Sequence, residues 1–215
     1  MSEDRPDEES RSYAAERPKA FVDAVVAIAM TLLILPLMES VGEAASSGET
    51  TLEWLGDHRD QLLSFGLSFA IIAMFWMSHH RLFAPVALVS NRLLWLLAAW
   101  MLSIVWLPVA TSISGQMSGE DSLARVLYIG SMIVTALLSL VIRLYLRRNP
   151  ELHAIPATAL RDGMAVDLAM ATLFGLSLLV AVLSSAIGYF SMILMFAMGP
   201  MQALYGKLIG RAFAS

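Results

Sequence analysis

The sequence predicts an all-α integral membrane protein with six transmembrane helices, and three observations predict it. Of its 215 residues, 58% are hydrophobic and only 15% are charged, too apolar a balance for a soluble domain of this size. The mean hydropathy is +0.69. Polar gaps divide the chain into apolar stretches of about 20 residues, the length of one bilayer crossing. These stretches lie at 20–38, 56–78, 90–112, 123–146, 163–184 and 188–209.

The elements follow in order. Residues 1–16 hold six acids, two bases and a single aromatic, which predicts a disordered cytoplasmic tail rather than a cleaved signal peptide. Residues 17–211 form the six-helix unit. Helix 1 starts behind Arg17 and Lys19, carries Asp23 about one turn inside, and is expected to break at Pro36. Gly42, Ser46, Ser47 and Gly48 then read as an extracellular loop. Helix 2 begins near Trp54, an interfacial anchor, and closes on Trp76-Met77-Ser78-His79-His80-Arg81. Helix 3 carries Trp95, Trp100 and Trp106, and helix 4 stops at Arg147-Arg148-Asn149-Pro150. Little more than Ser184 to Gly188 separates helices 5 and 6, which predicts a tight hairpin. Asp167 stands inside helix 5 with no role that the sequence assigns.

Basic residues set the orientation. Twelve of the 14 Lys and Arg residues fall on one side of this layout, and only Arg59 and Arg125 fall on the other. Both termini are therefore expected in the cytoplasm of a cell-membrane protein. The same asymmetry accounts for the basic residues without a nucleic-acid partner. With no cysteine in the chain, disulfides and thiolate metal sites are excluded.

Asp23 is the most informative residue, because a carboxylate is expensive in hydrocarbon and marks an ion pathway or the structure shaping one. Arg17, His79 and His80 are expected at the same boundary and are its natural partners. Adjacent helical residues point about 100° apart, so His79 and His80 cannot chelate a metal as an i, i+4 pair would. A structural role is expected for them. The methionines at 192, 195, 198 and 201 read as packing.

Arg17-x-x-x-Phe21-Val22-Asp23, running into the apolar segment up to Pro36, resembles the signature of the transmembrane protein 175 family of potassium channels, here in its prokaryotic form. Trp76-x-x-His79-His80-Arg81 is a second point of resemblance, and six helices per unit a third. The family has Ser where this chain has Val22. The resemblance implies a potassium-permeable cation channel, not an enzyme and without a cofactor, in which helix 1 of each subunit lines a central pore. It also implies a homotetramer, since animal members with two six-helix units work as dimers. Its partners are then further copies of itself, the lipid bilayer and monovalent cations, potassium being the permeant ion. At 100° per residue, Ile28, Thr31 and Leu35 share an arc of roughly 60°, and Asp23 lies well away from it. These three are the expected pore and filter residues. Arg17, Phe21, Asp23, Trp76, His79 and His80 form the expected structural network.

An apolar neck of this kind gates by dewetting, and a Thr31 hydroxyl ring could hold one partly hydrated cation. The chain has no Thr-Val-Gly-Tyr-Gly carbonyl cage, so weak potassium selectivity is expected. A secondary transporter of a cation or proton is the alternative. Such folds commonly show repeats and broken helices near midplane. An intramembrane enzyme ranks last, for want of a nucleophile, base or metal cluster at depth.

Overall fold

Five helical segments among the described residues are long and apolar enough to cross a bilayer. The structure is a computed structural model and describes residues 12–116, 121–183 and 197–212. The chain runs β1 (Ser12–Ala14), α1 (Glu16–Leu32), α2 (Leu35–Ser47), α3 (Thr51–Asp57), α4 (Arg59–Phe83), β2 (Leu88–Ser90), α5 (Asn91–Gln116), α6 (Ser122–Arg148), α7 (Ala157–Leu183) and α8 (Met198–Ala212). The expected sixth helix at 188–209 is described only through α8, and residues 188–196 lie outside the described residues, as does the expected hairpin at 184–188.

Pro36 does not end the first span. Lacking an N–H, Pro36 cannot bond the Leu32 carbonyl, so α1 stops at Leu32 and the Ile34 amide bonds Thr31 O at 3.3 Å. Yet proline is at home in the first turn of a helix, where its amide would have no partner in any case. Here it starts α2, which turns the expected Gly/Ser loop into three more turns of helix. That helix ends at Gly48, whose φ of 76° is the left-handed cap glycine accepts without strain.

Within the tail expected at residues 1–16, the described residues 12–16 are ordered. Residues 1–11 lie outside the described residues, but β1 pairs antiparallel with β2, Tyr13 opposite Val89. The Ala15 amide bonds Ala87 O at 3.0 Å, the Ala87 amide bonds Leu152 O at 3.0 Å, and the Ala154 amide bonds Pro85 O at 2.9 Å. His153 fastens the last of these loops: its Nδ1 accepts the Ile155 amide and its Nε2 donates to Leu146 O, both at 2.9 Å. The chain start, the α4–α5 connection and the α6–α7 connection thus form one clasp. Arg17, Lys19, Arg81, Arg92, Arg147 and Arg148 flank it in sequence, which gives the bundle a basic end.

Between helices in lipid there is no strong hydrophobic drive, so close packing and interhelical hydrogen bonds hold the bundle. The core is built on Ile72, Phe75, Leu97, Trp100, Ile104, Ile129 and Phe174, all nearly inaccessible. Hydroxyls stitch it across α4, α5 and α6. Ser68 and Tyr128 share a hydrogen bond of 2.8 Å, Thr111 donates to Ser68 at 2.9 Å, Thr135 donates to Ser103 at 3.0 Å, and the Trp100 indole donates to Ser139 at 2.9 Å.

Candidate functional site: the first span and its anchor

Helix 1 has two unlike faces. Val22, Val26, Ala29 and Leu33 are 3% exposed or less and pack into the core, following the i, i+4, i+7 row that faces one neighbour. On the other side Ile28 is 59% exposed, Leu35 47% and Met38 62%, and Thr31 is exposed between them. Ile28, Thr31 and Leu35 therefore lie along one uncovered side of the α1–α2 rod, although a turn interrupts the helix before Leu35. Ile34 in that turn is also 37% exposed, so the uncovered side is broader than 100° steps along a straight helix would make it. The Thr31 hydroxyl donates to Ile28 O at 2.8 Å, which uses its proton and leaves its oxygen lone pairs free to accept.

Val22, where the resembling signature has serine, is 2% exposed among apolar side chains, so packing replaces any hydroxyl contact at that point.

Asp23 is held to α4. The Trp76 indole N–H donates to its Oδ1 at 2.8 Å, and His80 Nδ1 lies 4.0 Å from the same oxygen. The rings of Trp76 and His80 lie 5.6 Å apart. Of the three partners expected for Asp23, only His80 approaches it, and the closer donor is Trp76, which the charge-based expectation overlooked. Arg17 is exposed at the start of α1 and no ion pair joins it to Asp23; Phe21 is 61% exposed. His79 turns the opposite way, into the core. Its ring stacks on Phe83 at 4.4 Å and on Trp100 at 4.2 Å, so it joins α4 to α5 by aromatic contact and leaves Asp23 alone. The Asp23 side chain keeps 45% of its surface, which makes this a wet, single-bond anchor rather than a buried charge pair.

The structure adds a second carboxylate that sequence reading left without a role. Asp167 of α7 is fully buried and accepts from Arg143 Nε of α6 at 2.7 Å. Arg143, expected as one of the cytoplasmic loop bases, is instead 5% exposed inside the bundle. Its guanidinium lies across Gly163, where an added Cβ would stand 2.1 Å from Nη1, so the absence of a side chain there gives Arg143 its room. Arg125, one of the two bases expected on the far side, is buried as well. Its Nη1 donates to Ala181 O of α7 at 2.7 Å.

The family described as "Endosomal/lysosomal potassium channel TMEM175" matches residues 17–108, the stretch that holds both the Asp23 and Trp76 motifs. A potassium channel of Streptomyces collinus is 32% identical over 112 residues, which is 51% of this chain and 52% of that protein. The endosomal/lysosomal proton channel TMEM175 of Gallus gallus is 33% identical over 118 residues, 52% of this chain and 23% of its own length. A Chryseobacterium potassium channel is 30% identical over 95 residues, 44% of this chain and 46% of that one. The chain thus spans about half the length of the bacterial relatives it matches. Among solved structures, a threonine-to-alanine variant of the potassium channel MtTMEM175, bound to a nanobody fusion, superposes with a TM-score of 0.63 at 17% identity. That likeness covers 98% of this chain and 99% of the other, and it carries the fold. Residues 17–108 thus resemble the TMEM175 family, and the chain is a multi-pass membrane protein with the fold of the MtTMEM175 channel.

Proposed function

We propose that this protein is a potassium-permeable cation channel, assembled as a homotetramer with the α1–α2 rod of each subunit turned toward a central axis. One observation carries the reading: the face of helix 1 bearing Ile28, Thr31, Leu35 and Met38 is apolar, uncovered by its own chain, and opposite the face packed into the core. Relatives described as potassium channels support the choice of ion. One helix cannot enclose a pore, so several copies must bring that face together. Ile28 and Leu35 then form apolar rings that gate by dewetting, and Thr31 between them offers oxygen lone pairs to a partly hydrated cation. Discrimination against sodium is weak, because hydroxyls replace little of a hydration shell. Both termini lie in the cytoplasm, and the stretch 188–209, whose described part falls within α8, supplies a sixth crossing.

Potassium flux into proteoliposomes tests the reading. Ile28→Asn and Leu35→Ser wet the neck, so each raises flux and lowers discrimination between potassium and sodium. Thr31→Val lowers conductance without closing the pore. Leu102→Ser on α5, which is 71% exposed on a face given no role in permeation, leaves flux as it was. Equal flux in wild type and the Ile28 and Leu35 variants would place the permeation path elsewhere.

A further inference from the structure

A cavity of about 300 Å³ opens between α4 and α7 near the basic end, away from the face that helix 1 leaves uncovered. Its polar part consists of Arg81 and Ser78 from α4 and the buried Arg143 from α6. Its deeper wall is apolar and flexible, formed by Met74 and Met77 of α4 and Met170 of α7. On the α7 side the lining reaches from Ala159 to Met170, about 16 Å of helix at 1.5 Å per residue. Basic side chains at one end of a methionine-lined cavity between helices match the polarity of a phospholipid.

The charge count agrees. Arg143 meets Asp167 through Nε, and that pair sums to zero. Arg161, next along α7, is matched with Asp162 at 3.2 Å. Arg81 then leaves the mouth with one net positive charge, which a single phosphodiester neutralises. Guanidinium donors suit phosphate oxygens in forked geometry, and basic pockets between transmembrane helices on the cytoplasmic side recognise anionic headgroups. Methionine thioethers pack adaptably around chains of no fixed shape.

We propose that this cavity is a site for one anionic phospholipid, its phosphate on Arg81 and Arg143 and an acyl chain along Met74, Met77 and Met170. The inference stands apart from permeation, because lipid retention is read without flux. The test is native mass spectrometry of detergent-purified protein exchanged into micelles containing phosphatidylglycerol or phosphatidylcholine, with inorganic phosphate as competitor. Wild type should retain phosphatidylglycerol over phosphatidylcholine, and Arg81→Gln should reduce that retention about fivefold, the effect of one basic residue near an anionic lipid. Met77→Trp, which fills the acyl wall and leaves both guanidinium groups in place, should reduce it as well. Arg147→Gln, a basic residue outside this cavity, should not. Equal retention of the two lipids, or an Arg81→Gln variant that behaves as wild type, overturns the proposal. Binding of inorganic phosphate that depends on Arg81 but ignores Met77→Trp would make the site one for a free anion and overturn the lipid assignment.

Discussion

Two aspartates tie helices together in this molecule, and they do so in opposite ways. Asp23 joins α1 to α4 through one indole N–H and keeps nearly half of its side chain in solvent. Asp167 joins α7 to α6 through a guanidinium and keeps none. The surroundings differ to match. The two spans joined by Asp23 are each 28% buried within the subunit, against 50% and 39% in the Ser122–Arg148 and Ala157–Leu183 spans that Asp167 joins. The α6–α7 pair is therefore more fully covered by its own chain than helix 1, which packs on one side and is open on the other.

Substitutions sharpen the contrast. The largest expected effect belongs to Asp167→Asn, which leaves the Arg143 charge buried and unpaired and should cost about 3–5 kcal/mol. Thermal unfolding in detergent measures it. Replacing both partners with apolar residues, Arg143→Met with Asp167→Leu, should recover most of that loss. If Asp167→Asn proved neutral, the frame would not rest on this pair.

Asp23→Ala should cost less, about 1 kcal/mol, because a half-exposed carboxylate regains water when its partner goes. In a double-mutant cycle with Trp76→Phe, the two losses should overlap, since both remove the same hydrogen bond. Additive losses would mean that Trp76 and Asp23 stabilise helix 1 independently, and a cost equal to that of Asp167→Asn would erase the difference between the two anchors.

The smallest effect lies outside the membrane, in the link from the first span to the second. Thr50 and Glu53 form a capping box at the start of α3, in which Glu53 accepts from the Thr50 amide at 2.8 Å and from its hydroxyl at 2.6 Å. These bonds hold the Glu53 carboxyl below its ordinary pKa. A depressed folded-state pKa means that the contribution is complete above the usual carboxylate range and disappears as pH falls through the lowered value. Protection factors of the α3 amides, measured by hydrogen exchange relative to the unstructured chain at the same pH, should therefore fall on acidification in wild type and be low at every pH in Glu53→Ala.

Much of the first span was legible in the sequence. The uncovered row of Ile28, Thr31 and Leu35 and the meeting of Asp23 with the end of helix 2 follow from periodicity and from the motifs, whereas the outer boundary of the first span does not. The identity of the donor did not follow, because charge reasoning ranks Arg17 and the histidines above a neutral indole, and geometry chose Trp76. Pro36 was misjudged because proline punctuates a helix in two senses, ending one and starting the next. The Arg143–Asp167 pair escaped because a positive-inside count treats every arginine as a surface residue. A signal was present nonetheless. Asp167 is a lone acid in an apolar stretch, Arg143 sits a full turn inside the Arg147-Arg148 stop, and both lie at similar depth from the same end.

The clasp at the basic end fixes how helix 1 can move. With Ser12–Ala14 zipped to Leu88–Ser90 and the Ala15 amide bonded to Ala87, the helix is pinned where it begins. A rod pinned at one end cannot slide along its axis. From Ala15 to Thr31 is about 24 Å of helix, so a swing of about 5° carries the Thr31 level sideways by about 2 Å, more than the radius of a bare alkali cation. A lever of that length turns a small angular change at its start into a displacement of atomic size at Thr31.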